Sequence, residues 1–266
     1  MVTNNFEYIE AAQAFHGNIP MVMGTRLDML TVGVPEAVAK KSWDYLCVEA
    51  GRLDALLNRF VPDSELTKVN ESNTGEAIKA SPELAEIIRM AREYWERTDG
   101  FFDVSKGGMG EIILDEDNLL TLNGHTLDFG GFAKGFLMRK LREKFQELGI
   151  ESAFVDFGGS SILTLGHHPF GDCWIVGVKD PFGGDVLGQE ELKGESMSTS
   201  GNSPVYTSHI VNPKTGELNR DRVVVTAVIE DPLDAEILST AALAAGEEHF
   251  SVLEKNFPGL KLHLYK

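Results

Sequence analysis

A chain of 266 residues, 42% hydrophobic and 24% charged, has the make-up of a globular protein and reads as one unit spanning 1–266. Its formal net charge of −17 at pH 7 argues against a nucleic-acid partner, whose phosphates call for a basic surface, yet leaves room for a phosphate ligand held beside a cation. No apolar stretch approaches the ~20 residues of a transmembrane segment, and Met1 to Ile9 lacks a basic-then-apolar leader; the chain as given reads as cytoplasmic, although a removed export or lipoprotein signal would leave the same sequence.

In chain order, the alternation from Val22 to Val32 predicts a strand. Apolar residues at Trp43, Leu46, Ala50, Leu53, Leu57 and Phe60 recur in steps of three and four after Pro35, which predicts a helix. Ser81-Pro82 starts a second helix carrying Leu84, Ile87, Ile88, Ala91, Tyr94 and Trp95, and Asp99-Gly100 stops it. A third runs from about Phe132 to Leu148 and ends at Gly149. Strand patterns follow at Ala153 to Phe157, Ser161 to Leu165, Cys173 to Val178, Tyr206 to Val211 and Val223 to Ile229. A helix over Leu233 to Ala245, a short one near Phe250 to Asn256 and a strand from Leu260 to Tyr265 complete the series. Helices and hairpin-spaced strands without strict alternation predict an α+β fold of mixed sheets. Cys47 and Cys173 sit among apolar neighbours and read as small core residues.

Four stretches hold more glycine and polar residues than packing asks for. Leu127 to Gly135 places Gly130-Gly131 and Lys134 before the third helix; such glycines admit a phosphate to the free N–H groups of a helix start, or simply serve a strand-to-helix turn. Asp156 to Ser161 reads as a glycine hairpin. Ser198 to Asn202, with the later His209 to Gly216, offers hydroxyls and glycine to phosphate oxygens, although Asn212-Pro213-Lys214-Thr215-Gly216 is also a good turn. Asp234 to Thr240 opens a helix on which Glu236 and Thr240 share a face. A carboxylate plus a hydroxyl suits Mg²⁺, while acidic residues in a first turn also follow from the helix dipole.

These stretches, taken together and in order, resemble the FAD:protein FMN transferase (ApbE) family. The resemblance rests on Met23-Gly24-Thr25-Arg26, Ser64-Glu65-Leu66 with Asn70, Gly100-Phe101-Phe102-Asp103 with Ser105, and Asp128 to Gly135 as Asp-x-Gly-Gly-x-Ala-Lys-Gly. It continues through Gly158-Gly159, Ser200-Gly201, the histidine-to-glycine run His209 to Gly216, and Ala235-Glu236 with Thr240, covering about Val22 to Gly246.

The resemblance implies a T-fold-like ApbE architecture with a cleft between two interleaved lobes. It implies FAD as substrate, Mg²⁺ on its pyrophosphate, and transfer of FMN to a threonine of an acceptor protein with release of AMP. It also implies a metal set at Gly131, Glu236 and Thr240 with Ser239 close by. The implied flavin-binding set is Met23, Phe60, Phe101, Phe102, Asp103, Asp128, Lys134, Ser200 and His209, with His209 or Asp103 as the base. Three departures stand out. Glu236 and Asn212 each stand where the family usually has Asp, and only the 24 residues 104–127 separate Asp103 from Asp128. They open two alternatives, a flavin-binding or FAD-hydrolysing protein without transfer and a non-catalytic partner-binding scaffold.

Overall fold

The computed structural model describes residues 3–72, 75–204 and 210–266. The chain runs β1 (Asn5–Ile9), β2 (Ala14–Val22), β3 (Thr25–Val32), α1 (Glu36–Leu57), α2 (Glu65–Glu71), β4 (Ile78–Lys79) and α3 (Pro82–Arg97). It continues with β5 (Ile113–Leu114), β6 (Leu119–Thr121), α4 (Ala133–Glu147), β7 (Ser152–Phe157), β8 (Ser161–Leu165), β9 (Trp174–Lys179) and β10 (Val186–Leu192). Last come β11 (Ser196–Gly201), β12 (Val224–Ile229), α5 (Pro232–Ala245), α6 (Phe250–Asn256) and β13 (Lys261–Tyr265). The expected α+β class is what this order shows.

Eight strands form one antiparallel sheet in the order β1-β2-β3-β7-β8-β11-β12-β13, so both ends of the chain enter the same sheet. Every residue of β8 and β12 is buried, as expected of strands covered on both faces. Helix α5 covers one face, packing on β8, β11 and β12, with α4 against α5 and α1 against α4 and β2. The opposite face of the sheet receives the β9–β10 hairpin through a small second core of Ile162, Trp174, Val176, Leu192, Met197 and Val228. A three-stranded sheet of β4, β6 and β5 accompanies α3 within the short 104–127 neighbourhood. Among the described residues no helix is long and apolar enough to cross a membrane.

Local chemistry sets the helix starts. Ser81 caps α3 by accepting from the Leu84 N–H, with Pro82 in the first turn. Asp231 caps α5, accepting from Leu233 and Asp234. Glycine 135 lets α4 and α5 touch: a Cβ there would lie 2.7 Å from Glu236 Cβ and 2.9 Å from the Pro232 carbonyl oxygen.

Several expectations change. The strand expected over Val22 to Val32 is two: Val22 ends β2, Met23 and Gly24 turn the chain with φ of 47° and 79°, and β3 starts at Thr25. Phe60 lies beyond α1, whose cap Asn58 is already extended. The hydroxyl run Ser198 to Gly201 is part of strand β11, bonded to β8 and β12. Of the strand expected over Tyr206 to Val211, residues 205–209 lie outside the described residues, and Val211 forms an isolated bridge to Leu218.

Candidate functional site

The glycine motif is held in place before it reaches α4. Asn70, on α2, grips Leu127 from both sides: its amide donates to the Leu127 carbonyl at 2.9 Å and its carbonyl accepts the Leu127 N–H at 2.8 Å. The Asp128 N–H donates to Val104 O at 2.7 Å, and Asp128 Oδ1 accepts from Gly130 N at 3.0 Å. Asp128 Oδ2 faces two cations from separate segments, Arg59 Nε at 3.3 Å and Lys106 Nζ at 3.1 Å. The turn therefore hands the chain to α4 with its backbone fixed and with positive charge beside it.

On α5, Glu236, Ser239 and Thr240 are three and four residues apart and so share a face. That face meets β11, where Ser198 and Ser200 point the same way because strand side chains alternate. Ser200 Oγ lies 2.9 Å from Ser239 Oγ and 3.4 Å from Thr240 Oγ1, and Ser239 Oγ lies 3.1 Å from Ser198 Oγ. Gly131 faces this cluster: a Cβ built on it would lie 3.2 Å from Thr240 Oγ1 and 3.7 Å from the Phe102 ring. Three segments distant in sequence thus deliver hydroxyls and a glycine backbone to one spot.

The carboxylate of Glu236 reaches deeper. It is 4% exposed; Oε1 pairs with Lys134 Nζ at 2.7 Å, and Oε2 accepts from Ser161 Oγ at 2.6 Å and Ser198 Oγ at 2.9 Å. Lys134 also donates to Ser161 and lies 3.4 Å from Ser160 Oγ. A buried carboxylate with a counter-charge and two hydroxyl donors is fully compensated. As donors, the Gly131 carbonyl, Thr240 hydroxyl and Glu236 carboxylate form an all-oxygen set with one negative charge, which fits the chemistry of a hard cation. The set differs from the expected convergence in one respect: the glutamate's oxygens are already taken by the chain's own ammonium and serines. Among the described residues no three His, Cys, Asp or Glu side chains gather as a metal cluster.

Behind α5, Arg139 of α4 binds Asp231 at 2.8 Å and the Tyr94 hydroxyl at 2.7 Å, and Tyr94 donates to Asp234. Burial pushes the Asp234 carboxyl above its ordinary range and the Tyr94 hydroxyl further up from its own. This network locks the first turn of α5 against α3 and α4, which sets the depth at which Glu236 and Thr240 meet β11.

The remaining expected positions divide. Met23 is half-buried in the β2–β3 turn, whose Thr25 lies against Gly158 of the β7–β8 hairpin. Phe60 is 78% exposed under the Arg59 guanidinium, 4.5 Å above its ring. Phe101 and Phe102 are core residues rather than open walls, at 5% and 4% exposed. Lys214 Nζ lies 4.1 Å from the Phe101 ring centre and the His249 ring 4.7 Å from it, while Phe102 packs edge-on against Tyr94. Asp103 anchors a loop: Oδ1 accepts from Ser105 N and Ser105 Oγ, and Oδ2 from Gly107 N and Met109 N. Both of its oxygens thus accept hydrogen bonds from its own loop. His209 lies outside the described residues. A hollow of about 440 Å³, lined in part by Asp103, Gly107, Pro213 and Lys214, opens beside this loop. A larger one of about 700 Å³ near Arg52, Glu65 and Ser81 shares none of these residues.

Asn70, Arg59, Lys106 and Ser161 escaped the sequence reading as site residues, and Ser198 entered it only as part of the hydroxyl run Ser198 to Asn202. Asn70 stood within a recognised motif, but its grip on Leu127 spans 57 positions. The others are common surface or strand types until strand order brings them together.

An antiparallel sheet covered by helices, with a polar site shared by α4, α5, β8 and β11, defines a mixed α/β protein built around a glycine-rich helix start. The chain belongs to the ApbE family, whose model matches residues 23–113 and 105–263. It is 29% identical over 268 residues to an FAD:protein FMN transferase of Rhodobacter capsulatus, covering 85% of this chain and 51% of that protein. It is 31% identical over 151 residues to one from Klebsiella pneumoniae, covering 52% of this chain and 46% of that protein. The chain thus spans about half the length of these two curated relatives. In fold it is similar to the crystal structure of the ApbE protein of Thermotoga maritima, with a TM-score of 0.81, 24% identity, and 94% and 93% of the two chains covered. The flavin transferase ApbE of Vibrio cholerae matches at a TM-score of 0.78 with 21% identity, over 96% of this chain and 98% of that one.

Proposed function

We propose that this protein is an FAD:protein FMN transferase, which binds FAD with Mg²⁺ and moves FMN to a threonine of an acceptor protein. The observation that carries the reading is the meeting of Gly131, Ser200, Ser239 and Thr240 beside the Lys134–Glu236 pair. The curated relatives that bear this name supply the reaction class.

In that reaction the acceptor threonine oxygen attacks the FMN-side phosphorus. The bond from that phosphorus to the bridging oxygen breaks, AMP leaves with the oxygen, and the threonine proton passes to a base. Mg²⁺ held by Gly131, Glu236 and Thr240 would offset charge on the phosphate oxygens. The start of α4, whose cap Phe132 supplies no side-chain acceptor, would offer its positive end to a phosphate. Ser200, itself held by Ser239, orients the Thr240 hydroxyl through its contact with it. Arg59 and Lys106 add positive charge beside Asp128, on the side where the exposed Phe60 ring offers a flat apolar contact. Asp103 is committed to its loop, which leaves His209 as the base to test. The two unpaired, half-buried cysteines fit a reducing compartment such as the cytoplasm.

Incubation with FAD, Mg²⁺ and candidate acceptors, followed by mass spectrometry, should show FMN added to a threonine and AMP released. FAD bound without labelling of any acceptor would count against transfer. The short 104–127 segment and the engaged Asp103 favour a second reading, binding or hydrolysis of FAD without transfer; AMP appearing at full rate with no acceptor present would select it.

A further inference from the structure

This inference rests on the oxygen-lined site above and concerns how that site is kept before an ion arrives. Glu236 is buried, and a buried carboxylate without a counter-charge is costly. Among the described residues Lys134 is the cation paired with it, at 2.7 Å. The ammonium is in turn held by Ser161 and lies near Ser160, so its place is built by β8 and the hairpin before it as well as by α4. Thr240 stands one helical turn from Glu236, with its hydroxyl donating to the Glu236 carbonyl at 3.3 Å and facing Gly131. The carboxylate holds the ammonium directly, and a chain of hydroxyls from Ser198 through Ser239 and Ser200 links it to the oxygen-lined spot among Gly131, Ser200 and Thr240.

We propose that Lys134 is the resident counter-ion of Glu236 and that a divalent cation entering beside Thr240 competes with it for the carboxylate. Lysine is suited to such an exchange, being a compact charge on a flexible stem. Its place as the second residue of α4 means that, once released, the ammonium stays at the positive end of a 15-residue helix. Arrival of the ion would then turn Lys134 from a partner of Glu236 into a free cation for a phosphate group, coupling ion binding to anion binding within one site.

Manganese(II) binding followed by electron paramagnetic resonance, without flavin, tests this on the wild type, Lys134→Met and Glu236→Gln. Removing the competing ammonium should tighten Mn²⁺ binding at least tenfold, and Glu236→Gln should weaken it at least tenfold. Binding by Lys134→Met no tighter than wild type, or by Glu236→Gln as tight as wild type, overturns the proposal. Should Lys134→Met not fold, amine labelling of the wild type with mass-spectrometric readout decides the matter. Saturating Mg²⁺ should raise labelling of Lys134 several-fold while Lys140 and Lys144 on the same helix stay constant, and unchanged Lys134 labelling sinks the idea. Neither readout involves flavin, so the exchange can fail while AMP release succeeds, and the reverse.

Discussion

A threonine hydroxyl bonded to the carbonyl one turn back on its own helix is an ordinary feature; Thr240 differs because a glycine backbone and a strand serine, Ser200, from other segments also face it. Removing the hydroxyl takes a donor from the site while leaving the buried face of α5 in place. Thr240→Ala is expected to lower AMP release from FAD by about 10–100-fold, the range set by losing one well-placed polar group at a reacting centre. Thr240→Ser should keep most of the activity, and both variants should melt near the wild type. A Thr240→Ala protein that releases AMP at the wild-type rate would remove this residue from the site. The sequence already placed Glu236 and Thr240 on one face, because spacing on a helix is local information, while Gly131 and Ser239 joined them only through the family resemblance. The partners of Glu236 were hidden, since Ser161 and Ser198 lie 75 and 38 positions away and reach it only through strand register.

At the scale of elements, the link between α2 and the glycine motif is two hydrogen bonds from one amide, both to a leucine that is wholly buried. Asn70→Ala leaves a buried N–H and C=O without partners, so a loss of about 1–3 kcal/mol is expected. Hydrogen exchange should quicken most at Leu127 and Asp128, whereas uniform quickening across the chain would make Asn70 a general stability residue instead. A second joint ties the β9–β10 hairpin to the sheet edge, where Glu190 binds His263 and accepts from Tyr265 at 2.9 Å. Burial first, then the bond to Glu190, pushes the Tyr265 hydroxyl up to about 12 from 10.0. A raised value means the folded state keeps the proton longer. This contribution is therefore full below pH 10 and fades as pH climbs from 10 toward 12. Tyr265→Phe should flatten that part of the melting curve against pH, and an unaltered slope would locate the effect at Tyr94.

Helices α1 and α3 were legible because one apolar face repeats every three or four residues, and α4 and α5 because Gly149 and Gly246 mark their ends locally. Strands β1, β2, β10 and β11 were not. In β11 the sequence Ser-Met-Ser-Thr-Ser-Gly has no apolar alternation, and it is a strand because β8 and β12 supply its hydrogen bonds. In β2, Gly17 serves the close crossing of Trp43, whose ring would lie 2.6 Å from an added Cβ. That demand comes from α1, not from the strand itself.

At the scale of the whole molecule, a net charge of −17 would oppose the approach of the proposed dinucleotide, whose pyrophosphate is also negative. Two fields compete during approach. Arg59 and Lys106 attract at short range, and both are tied to Asp128, which cancels part of their charge. Lys134 is neutralised by Glu236 until that pair opens. At 0.01 M salt the Debye length is about 30 Å, so the summed charge of the whole protein governs encounter, whereas at 0.1 M it is about 10 Å and only nearby charges are felt. The repulsive field should therefore dominate at low salt. Raising monovalent salt from about 10 to 150 mM is expected to speed FAD association several-fold in stopped-flow flavin fluorescence, opposite to the usual salt effect on a site steered by opposite charge. Replacing Asp128 with Asn would unmask Arg59 and Lys106, raise the low-salt rate and shrink the salt effect. A rate that falls with salt in the wild type would mean that the cations at the mouth already outweigh the protein's overall charge.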